Sequence, residues 1–301
     1  MLENRNNIAM CNLCGSTESR IVYEDLRCFE LPDANAFSFR MCMHCGLLFL
    51  AERPVDMGRY YHGSYIPYQA SQGLRRRIKQ LFWSRDAQLI RSYLGLQGAI
   101  FEIGTANGEY LAAVRGPYRA SGLEYDAHMA AEAQRRGLAV VRGDFDQWNP
   151  TVGQTQSLVV LNYVFEHLQS PRVALESIAK MLCPRGYVFL RVPNADSFER
   201  KLFGKYWHSF DAPRHNYIFT PATIKQYAEA AGFSVVRVIH SAVPNDWVGS
   251  IRRILRVHEW HRTERLLDKL GIAALACFLP LTLLGKMFGK SSRILVILQK
   301  R

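Results

Sequence analysis

Residues 99–108 read A-I-F-E-I-G-T-A-N-G, an apolar run followed by two glycines that lie four residues apart. The run predicts a buried strand, and Gly104 and Gly108 let the backbone turn tightly where a side chain would keep a ligand away. The helix that follows offers free N–H groups to polar atoms. The loop lacks the Lys-Ser/Thr pair of a phosphate-binding P-loop, and its glycine spacing is not G-x-G-x-x-G. Because any strand-to-helix turn favours glycine, the loop alone does not identify a ligand.

Acidic residues stand at the ends of the next two predicted strands. Glu124 ends the second strand, about twenty residues after the loop, where an acid in an open α/β sheet binds ribose hydroxyls. Gly143-Asp144-Phe145 follows the third strand and offers a carboxylate and an aromatic ring to an adenine. The three elements together predict a cofactor that contains a nucleoside.

From Ala99 onwards, predicted strands and helices alternate, which indicates an α/β fold with a doubly wound, seven-stranded sheet. The sequence divides into a cysteine-rich module with little periodicity (1–70), a basic helical linker (71–98) and the α/β domain (99–301), whose helical insertion covers 247–290. The predicted strands are 99–103, 120–124, 138–142, 157–161, 187–192, 234–240 and 293–299.

From Ile100 to about His240 the chain resembles class I S-adenosylmethionine-dependent methyltransferases. The resemblance lies in F-E-I-G-T-A-N-G-E-Y-L, L-E-Y-D at 123–126, G-D-F at 143–145 and Y-V-F-E-H-L at 163–168. It implies a Rossmann-like methyltransferase sheet and S-adenosyl-L-methionine as cofactor. Two departures are Ser157, where the family often has aspartate, and Asn107, which replaces a smaller residue or cysteine. The residues implied at the cofactor are Glu102, Gly104, Thr105, Ala106, Gly108, Glu124, Tyr125, Asp144, Phe145 and Asn162.

Two segments carry candidate catalytic residues. Methyl transfer from a sulfonium needs a general base only when the acceptor loses a proton. Glu166 and His167 follow the fourth strand, and His167 suits that task; the alternative is that it packs structurally and caps the next helix. His208 and His215 lie in the loop W-H-S-F-D-A-P-R-H, where they are expected to contact substrate, with Asp211, while Arg214 meets a phosphate; alternatively, these residues fasten the loop.

Seven cysteines and the absence of an export-type leader argue against a disulfide framework. Four of the cysteines form two C-x-x-C-G knuckles, which predicts a closed, structural Zn²⁺ site of four thiolates; a redox dithiol and chance are the alternatives. The module resembles the zinc-binding domain of sugar C-methyltransferases, which also carry Glu-His after the fourth strand, and less closely that of a ribosomal RNA guanine methyltransferase type. The predicted metal ligands are Cys11, Cys14, Cys42 and Cys45.

The net charge of +12 is concentrated in two segments. Residues 71–91 carry six basic residues and one acid, and residues 246–301 carry eleven and four. This indicates an anionic partner or solvated helix faces. The insertion at 247–290 is interpreted as a lid over the substrate pocket, with an interfacial membrane anchor as the alternative. A cytoplasmic protein is expected, with a peripheral position at the inner face of the membrane as the alternative; its oligomeric state is open.

Three functions are compatible with these features. The leading hypothesis is methyl transfer to a small molecule, such as a sugar nucleotide, a glycan or a related biosynthetic intermediate. The second is an RNA methyltransferase with a zinc-finger recognition module, which makes nucleic acid the less favoured partner. The third is a non-catalytic protein that binds S-adenosylmethionine. The acceptor atom, whether oxygen, nitrogen or carbon, stays open.

Overall fold

The protein was analysed as a computed structural model that describes residues 10–28, 35–61, 73–148 and 155–301. The strands within these ranges are β1 (Ser19–Arg27), β2 (Ala36–Cys42), β3 (Leu48–Leu50), β4 (Ala99–Ile103), β5 (Arg119–Glu124), β6 (Ala139–Arg142), β7 (Gln156–Asn162), β8 (Leu182–Pro193), β9 (Tyr217–Ile218), β10 (Phe233–Ser241) and β11 (Arg293–Lys300). The helices are α1 (Gly73–Leu94), α2 (Glu109–Val114), α3 (Ala127–Arg135), α4 (Pro171–Met181), α5 (Phe198–Phe203), α6 (Pro221–Ala230), α7 (Asn245–Val257), α8 (His261–Leu270) and α9 (Ile272–Met287).

A seven-stranded mixed sheet in the order β10-β11-β8-β7-β4-β5-β6 confirms the predicted α/β Rossmann-like fold. Its central strands β8, β7, β4, β5 and β6 are parallel neighbours. Every residue of β4 is buried, as expected for a strand covered on both faces. The carboxyl ends of these parallel strands meet at one edge of the sheet, which is where ligands of such folds bind.

Strand β8 is longer than predicted. It begins at Leu182 instead of Tyr187, and its pairing with β7 shifts from Gln156 opposite Leu182 to Leu158 opposite Tyr187. Four residues of β8 therefore lie opposite a single residue of β7. The sequence P-R-G reads as a turn after the preceding helix, whereas the strand accommodates it as a large bulge with Arg185 at φ +60°.

A second sheet lies largely within the region described from the sequence as a cysteine-rich module with little periodicity. Strands β1, β2, β3 and β9 form an antiparallel sheet in that order. In β2, Phe37 and Phe39 alternate with more exposed neighbours, the period-2 pattern of a strand with one buried face. The buried core of this region consists of Leu26, Cys28, Phe37, Phe39, Leu48, Leu50, Tyr60, Ala195, Trp207, Phe210, Ala212 and Ile218.

The described chain forms two compact units, each assembled from separate stretches. The first comprises Met1–Tyr60, Val192–Tyr227 and Val238–Leu295, and it includes the second sheet and helices α7 to α9. The second comprises Tyr61–Arg191, Ala228–Arg237 and Val296–Arg301, and it includes the glycine loop. Helices α7, α8 and α9 occupy the region predicted as a helical insertion. The predicted domain boundaries stay predictions.

Candidate functional site

Two polar side chains meet at the carboxyl edge of the parallel sheet. The chain passes from β4 to β5 and β6 on one side and resumes with β7 and β8 on the other, so the strand order reverses between β4 and β7. Such a reversal is the usual position of a ligand in an open α/β sheet. Here the side-chain amide of Asn162 on β7 donates a hydrogen bond of 3.0 Å to Oε1 of Glu102 on β4. Two predicted cofactor residues thus lie together at this point.

A mostly buried ion pair fixes the orientation of Asn162. The guanidinium of Arg191 on β8 donates a 2.6 Å hydrogen bond to Oδ1 of Asn162. The same guanidinium binds both carboxylate oxygens of Asp86 on α1, at 2.9 and 3.1 Å. Because Oδ1 of Asn162 accepts from Arg191, its NH₂ group is the part that faces Glu102. The ion pair therefore acts on Glu102 through the amide.

The second carboxyl oxygen of Glu102 is buried without a hydrogen-bond donor among the described residues. Burial raises the pKa of Glu102 to about 8, and the nearby charge of Glu124 adds to this effect, while Asn162 and Arg191 oppose it. Without a ligand the site therefore favours the protonated carboxyl group, and a positively charged ligand would favour the carboxylate. An unsatisfied buried polar group destabilises a protein, and a ligand that brings a donor or a positive charge relieves that effect.

The glycines of the loop are required by packing as well as by backbone conformation. Gly104 has φ +73°, and a Cβ added to it would lie 2.4 Å from a methyl group of Val164. Gly108 has φ +78°, and a Cβ there would lie 2.5 Å from Leu138. Both positions thus demand glycine without any ligand. The glycines locate the turn, and the polar groups around it carry the information about a ligand.

Glu124 ties the loop to the end of β5. Its carboxylate is buried and accepts hydrogen bonds from the backbone N–H of Ala106 at 2.7 Å and of Asp126 at 2.9 Å. Burial raises the pKa of Glu124, and the backbone donors oppose that shift. Ala106 has φ +45°, a left-handed conformation that is unfavourable for a residue with a Cβ. The hydrogen bond from its N–H to Glu124 stabilises this conformation. A strained residue beside an acid at a strand end is typical of a binding site.

The other predicted cofactor residues lie on the same unit. Thr105 is buried within the loop, and its backbone N–H bonds to Leu123 O at 3.2 Å. Asp144 caps the turn that contains the buried Phe145, because its carboxylate accepts from Asp146 N at 3.0 Å. Tyr125 is 64% exposed, so its ring is available to a ligand. The part of each residue in cofactor binding stays a prediction.

The Glu-His segment after β7 forms a short 3-10 turn over Phe165–His167. Glu166 is fully buried and His167 is partly exposed. Nδ1 of His167 lies 3.1 Å from the hydroxyl of Tyr61, and the two rings meet edge to face. This hydrogen bond holds the imidazole in one orientation, which a proton-transferring group requires.

Buried charges fasten the loop around Asp211. Its carboxylate forms an ion pair with Arg214 and lies 3.8 Å from Nε2 of His215 and 3.6 Å from Arg253. Burial alone would raise the pKa of Asp211, but these cations lower it well below its usual range. The fastening alternative thus accounts for Asp211.

The expected phosphate contact of Arg214 is not supported. The side chain is only 2% exposed, and its Nε donates to Asp211 at 2.8 Å. Its Nη1 donates to the backbone oxygen of Tyr60 at 3.2 Å. The guanidinium therefore binds partners within its own unit. The position of Arg214 in the sequence does not by itself reveal these partners.

His208 and His215 are also held by neighbours. The ring of His208 packs on α7, where a Cβ on Gly249 would come within 2.5 Å of it. Burial and the charge of Arg253 lower the pKa of His208 to about 4, so the ring is neutral. Nδ1 of His215 donates to Ser209 O at 2.8 Å. These contacts fit a fastening role, and the predicted catalytic role of the two histidines stays a prediction.

The four predicted metal ligands come together in the first unit. The Sγ atoms of Cys11, Cys14, Cys42 and Cys45 all lie within 4.8 Å of one another. The separations of 3.5 Å between Cys11 and Cys45 and between Cys14 and Cys42 approach the roughly 3.8 Å expected between thiolates around a tetrahedral zinc ion. Four soft donors, with no fifth ligand among the residues that the structure describes, fit a closed site for a structural metal.

The two knuckles have the same local geometry. Gly15 and Gly46 both adopt φ +75°, and each donates its N–H to the carbonyl of the first cysteine of its knuckle, at 2.9 and 3.0 Å. Burial alone would raise the pKa of Cys42, but backbone N–H groups of Cys45 and His44 lower it to about 7. The turn thus stabilises a thiolate, the form that binds metal.

Sequence reasoning missed Asp86, Arg191 and Tyr61 as parts of these arrangements. Asp86 and Arg191 are 105 residues apart, and only the fold brings them together. One signal was visible, since Asp86 is the single acid in an otherwise basic helix. Tyr61 belongs to the tyrosine-rich segment Y-Y-H-G-S-Y-I-P-Y (60–68), of which residues 62–68 lie outside the described residues.

Comparisons with known proteins agree with this geometry. Residues 72–238, more than half of the chain, match the family model of the methyltransferase domain. A methyltransferase dependent on S-adenosylmethionine from Archaeoglobus fulgidus has a similar structure, with 17% identity, a TM-score of 0.51, and coverage of 74% of this chain and 94% of that one. The YcgJ protein from Bacillus subtilis is 13% identical, with a TM-score of 0.50 and coverage of 72% and 99%. No curated protein sequence matches the chain significantly.

The chain belongs to the family of methyltransferase domains. Its general class is that of S-adenosylmethionine-dependent methyltransferases, in agreement with the predicted class. The structural neighbours show the fold alone at this level of identity.

Proposed function

We propose that the chain transfers a methyl group from S-adenosylmethionine to a small-molecule acceptor: a sugar nucleotide, a glycan or a related biosynthetic intermediate. The cofactor in this proposal is supported by the Glu102–Asn162 pair, which lies where the strand order reverses. The other carboxyl oxygen of Glu102 is buried and has no donor among the described residues. The α-ammonium of the cofactor's methionine end is such a donor. When bound, the cofactor supplies a methyl group already activated by a sulfonium.

Different residues around the loop bind different parts of the cofactor. Glu102, oriented through Asn162, binds the methionine end, and the glycine turn keeps side chains away from it. Glu124 binds the ribose hydroxyls, since a carboxylate with two backbone donors has further acceptor capacity. Asp144 and Phe145 frame the base.

The acceptor part of the proposal is supported by His167. Its hydrogen bond to Tyr61 fixes the ring, and histidine titrates near neutral pH, which suits removal of a proton from a hydroxyl or an acidic carbon. The resemblance of the cysteine module to that of sugar C-methyltransferases points to the same acceptors. An RNA acceptor is the competing function, and the assay below distinguishes the two.

Transfer of a radioactive methyl group tests the proposal directly. The chain is incubated with methyl-labelled S-adenosylmethionine and either a panel of nucleoside diphosphate sugars or ribosomal and transfer RNA. Label in a sugar, lowered about 100-fold by H167Q, supports the proposal; H128Q, on the exposed face of α3, is the control. Label in RNA alone overturns the small-molecule acceptor. Absence of cofactor binding at millimolar concentration, measured by calorimetry, overturns the enzymatic function.

We also propose that the four clustered cysteines hold one structural Zn²⁺. The closed set of thiolates and the matching knuckles support this proposal. The hydroxyl of Tyr227 on α6 donates to Asn12 at 3.1 Å, so the first knuckle is anchored to a helix. Metal binding at this site contributes to folding because the unfolded chain lacks the preformed site.

Metal analysis of the purified protein tests the zinc site. One zinc per chain is expected, with most of it lost in C14S and retained in C183S, which changes a cysteine outside the cluster. A strong chelator is expected to lower the unfolding temperature of the wild type. Iron in place of zinc, or equal metal content in C14S and the wild type, contradicts the assignment.

A further inference from the structure

Helix α9 turns its apolar side chains outward. A narrow stripe packs against the protein, formed by Ala274, Phe278, Thr282 and Gly285 at helical spacing. Between Ile272 and Gly285 the hydroxyl of Thr282 is the most polar side-chain group, and it lies buried, donating to the carbonyl of Leu279 at 2.8 Å. A surface helix of a soluble protein has the opposite arrangement, with polar residues facing water.

The outward face is large and continuous. The exposed fraction of its apolar side chains rises toward the end of the helix, where Met287 is 76% and Phe288 65% exposed. Trp260, Leu266 and Leu270 are also exposed on or next to α8. Isolated exposed apolar residues are ordinary, but a contiguous set of this kind marks a binding surface. The exposed apolar residues of α9 are Leu279, Leu281, Leu283, Leu284 and Met287.

Cationic side chains lie on α8 and at the end of α9. Arg262, Arg265 and Lys269 lie on α8, and Lys286 lies in the last turn of α9. Within the described ranges, no acid pairs with any of these four cations. Both acids of α8 are already paired with arginines of α7. The outward charge of the α8–α9 region is therefore positive.

The combination of an apolar face and positive charge favours an anionic bilayer over a second copy of the chain. A symmetric dimer through α9 would place equal positive charges near one another, which is unfavourable. A bilayer that contains anionic lipids supplies an apolar phase for the leucines and negative headgroups for the cations. Cations near such a surface each contribute about 1 kcal/mol.

The length of the helix fits a position along the interface. No single helix in the described parts of the chain is long and apolar enough to span a membrane; α8 and α9 together meet the criteria of length and composition but are bent by 85°. Helix α9 has 16 residues and is about 24 Å long, shorter than the roughly 30 Å apolar core of a bilayer.

We infer that the outward face of α9, with the cations of α8 and its own Lys286, binds the surface of an anionic membrane. The helix lies in the boundary between headgroups and acyl chains, with Met287 and Phe288 inserted and the charged side chains at the headgroups. The protein thereby acts as a peripheral membrane protein, and acceptors that reside at a membrane become accessible to it.

Cosedimentation with vesicles tests this inference. The full chain is mixed with vesicles of phosphatidylcholine alone and of phosphatidylcholine with 30% phosphatidylglycerol, a composition chosen as roughly that of an anionic membrane surface. Binding to the anionic vesicles is expected to exceed binding to the neutral ones and to fall with added salt. The double variant L284E/M287E is expected to bind at least about tenfold more weakly.

Two further variants separate the contributions. R265Q/K269Q removes two cations and is expected to weaken binding to anionic vesicles by about 25-fold, with little effect on neutral ones. L96E/V173E adds the same two charges at exposed apolar positions elsewhere and is expected to bind like the wild type. Equal binding by L284E/M287E and the wild type overturns the inference. Self-association through α9 without vesicle binding, measured by light scattering, assigns the face to a second copy instead.

Discussion

The edge between β4 and β7 and the outward face of α9 are opposite arrangements of polar and apolar groups. At the edge, a carboxyl group lies buried with one oxygen lacking a donor. On α9, leucines and a methionine lie in water while a threonine hydroxyl is buried. The unsatisfied carboxyl oxygen destabilises the folded chain, and the exposed apolar face leaves a patch in contact with water that marks an interaction surface. The difference between them indicates what each would bind: a polar or cationic ligand at the edge and an apolar phase at the helix.

The largest expected effect is the loss of stability when a mostly buried charge loses its partner. D86N removes the charge that neutralises Arg191, which leaves a mostly buried guanidinium without its carboxylate. We expect the free energy of unfolding to fall by about 3 kcal/mol. Urea denaturation measures the change. E176Q, which breaks the exposed pair with Arg172, is the control and should change stability by less than about 0.5 kcal/mol. Equal effects of the two variants would contradict the importance of burial.

The second test concerns the unsatisfied group itself. E102Q keeps an oxygen for the Asn162 amide but removes the charge that we assign to the cofactor's ammonium. Loss of one hydrogen bond to a charged group, about 2 kcal/mol, should weaken S-adenosylmethionine binding about thirtyfold. Titration calorimetry gives the affinity, with E176Q again as control. An unchanged affinity would remove Glu102 from the cofactor site.

A smaller effect per pH unit is expected in the dependence of stability on pH. The pKa of Glu102 is about 8 in the folded chain and about 4.3 in an unfolded one, so the folded state holds the proton more tightly between these values. Its contribution to stability is fully present below pH 4 and is lost as pH rises through 8, by up to about 1.4 kcal/mol per pH unit within that window. Denaturation of the cofactor-free wild type and E102Q from pH 5 to 9 isolates this contribution. Parallel curves for the two proteins would show that Glu102 is ionised throughout.

The smallest expected effect lies at α9. Because Leu284 and Met287 are exposed, L284E/M287E should change the free energy of unfolding by less than about 0.5 kcal/mol, although it abolishes most vesicle binding. Thermal unfolding in the absence of lipid measures this. A loss of several kcal/mol would mean that these side chains are packed within the protein, and the comparison with the β4–β7 edge would fail.

The sheet and the position of the cofactor loop were predictable because their signals are local. The strand Ala99–Ile103 was predicted with the bounds that the structure has, since it is an apolar segment enclosed by glycines at 98 and 104. Glu124 was placed at the end of its strand for the same reason. Strand β2 was missed, although its alternating phenylalanines have the period of a strand, because the cysteine pairs dominated the interpretation of that region.

The partners of the site residues were not predictable because they are distant in sequence. Nothing near Glu102 indicates that Asn162 binds it or that Arg191 orients Asn162 from another strand. Arg214 was expected to meet a phosphate, but its guanidinium forms an ion pair with Asp211, which is only three residues away. Patterns locate elements and candidate residues, whereas pairing between side chains depends on the folded chain.

The sheet order has a consequence for the sequence of events in folding. Strand β11 lies between β8 and β10, yet it follows α7, α8 and α9 in the chain. During synthesis, β8 and β10 therefore leave the ribosome as open edges that only a later segment joins, and such edges are prone to mispairing. The apolar helix α9 also emerges before the sheet closes. An anionic membrane that receives α9 at that stage would shield it while β11 is inserted.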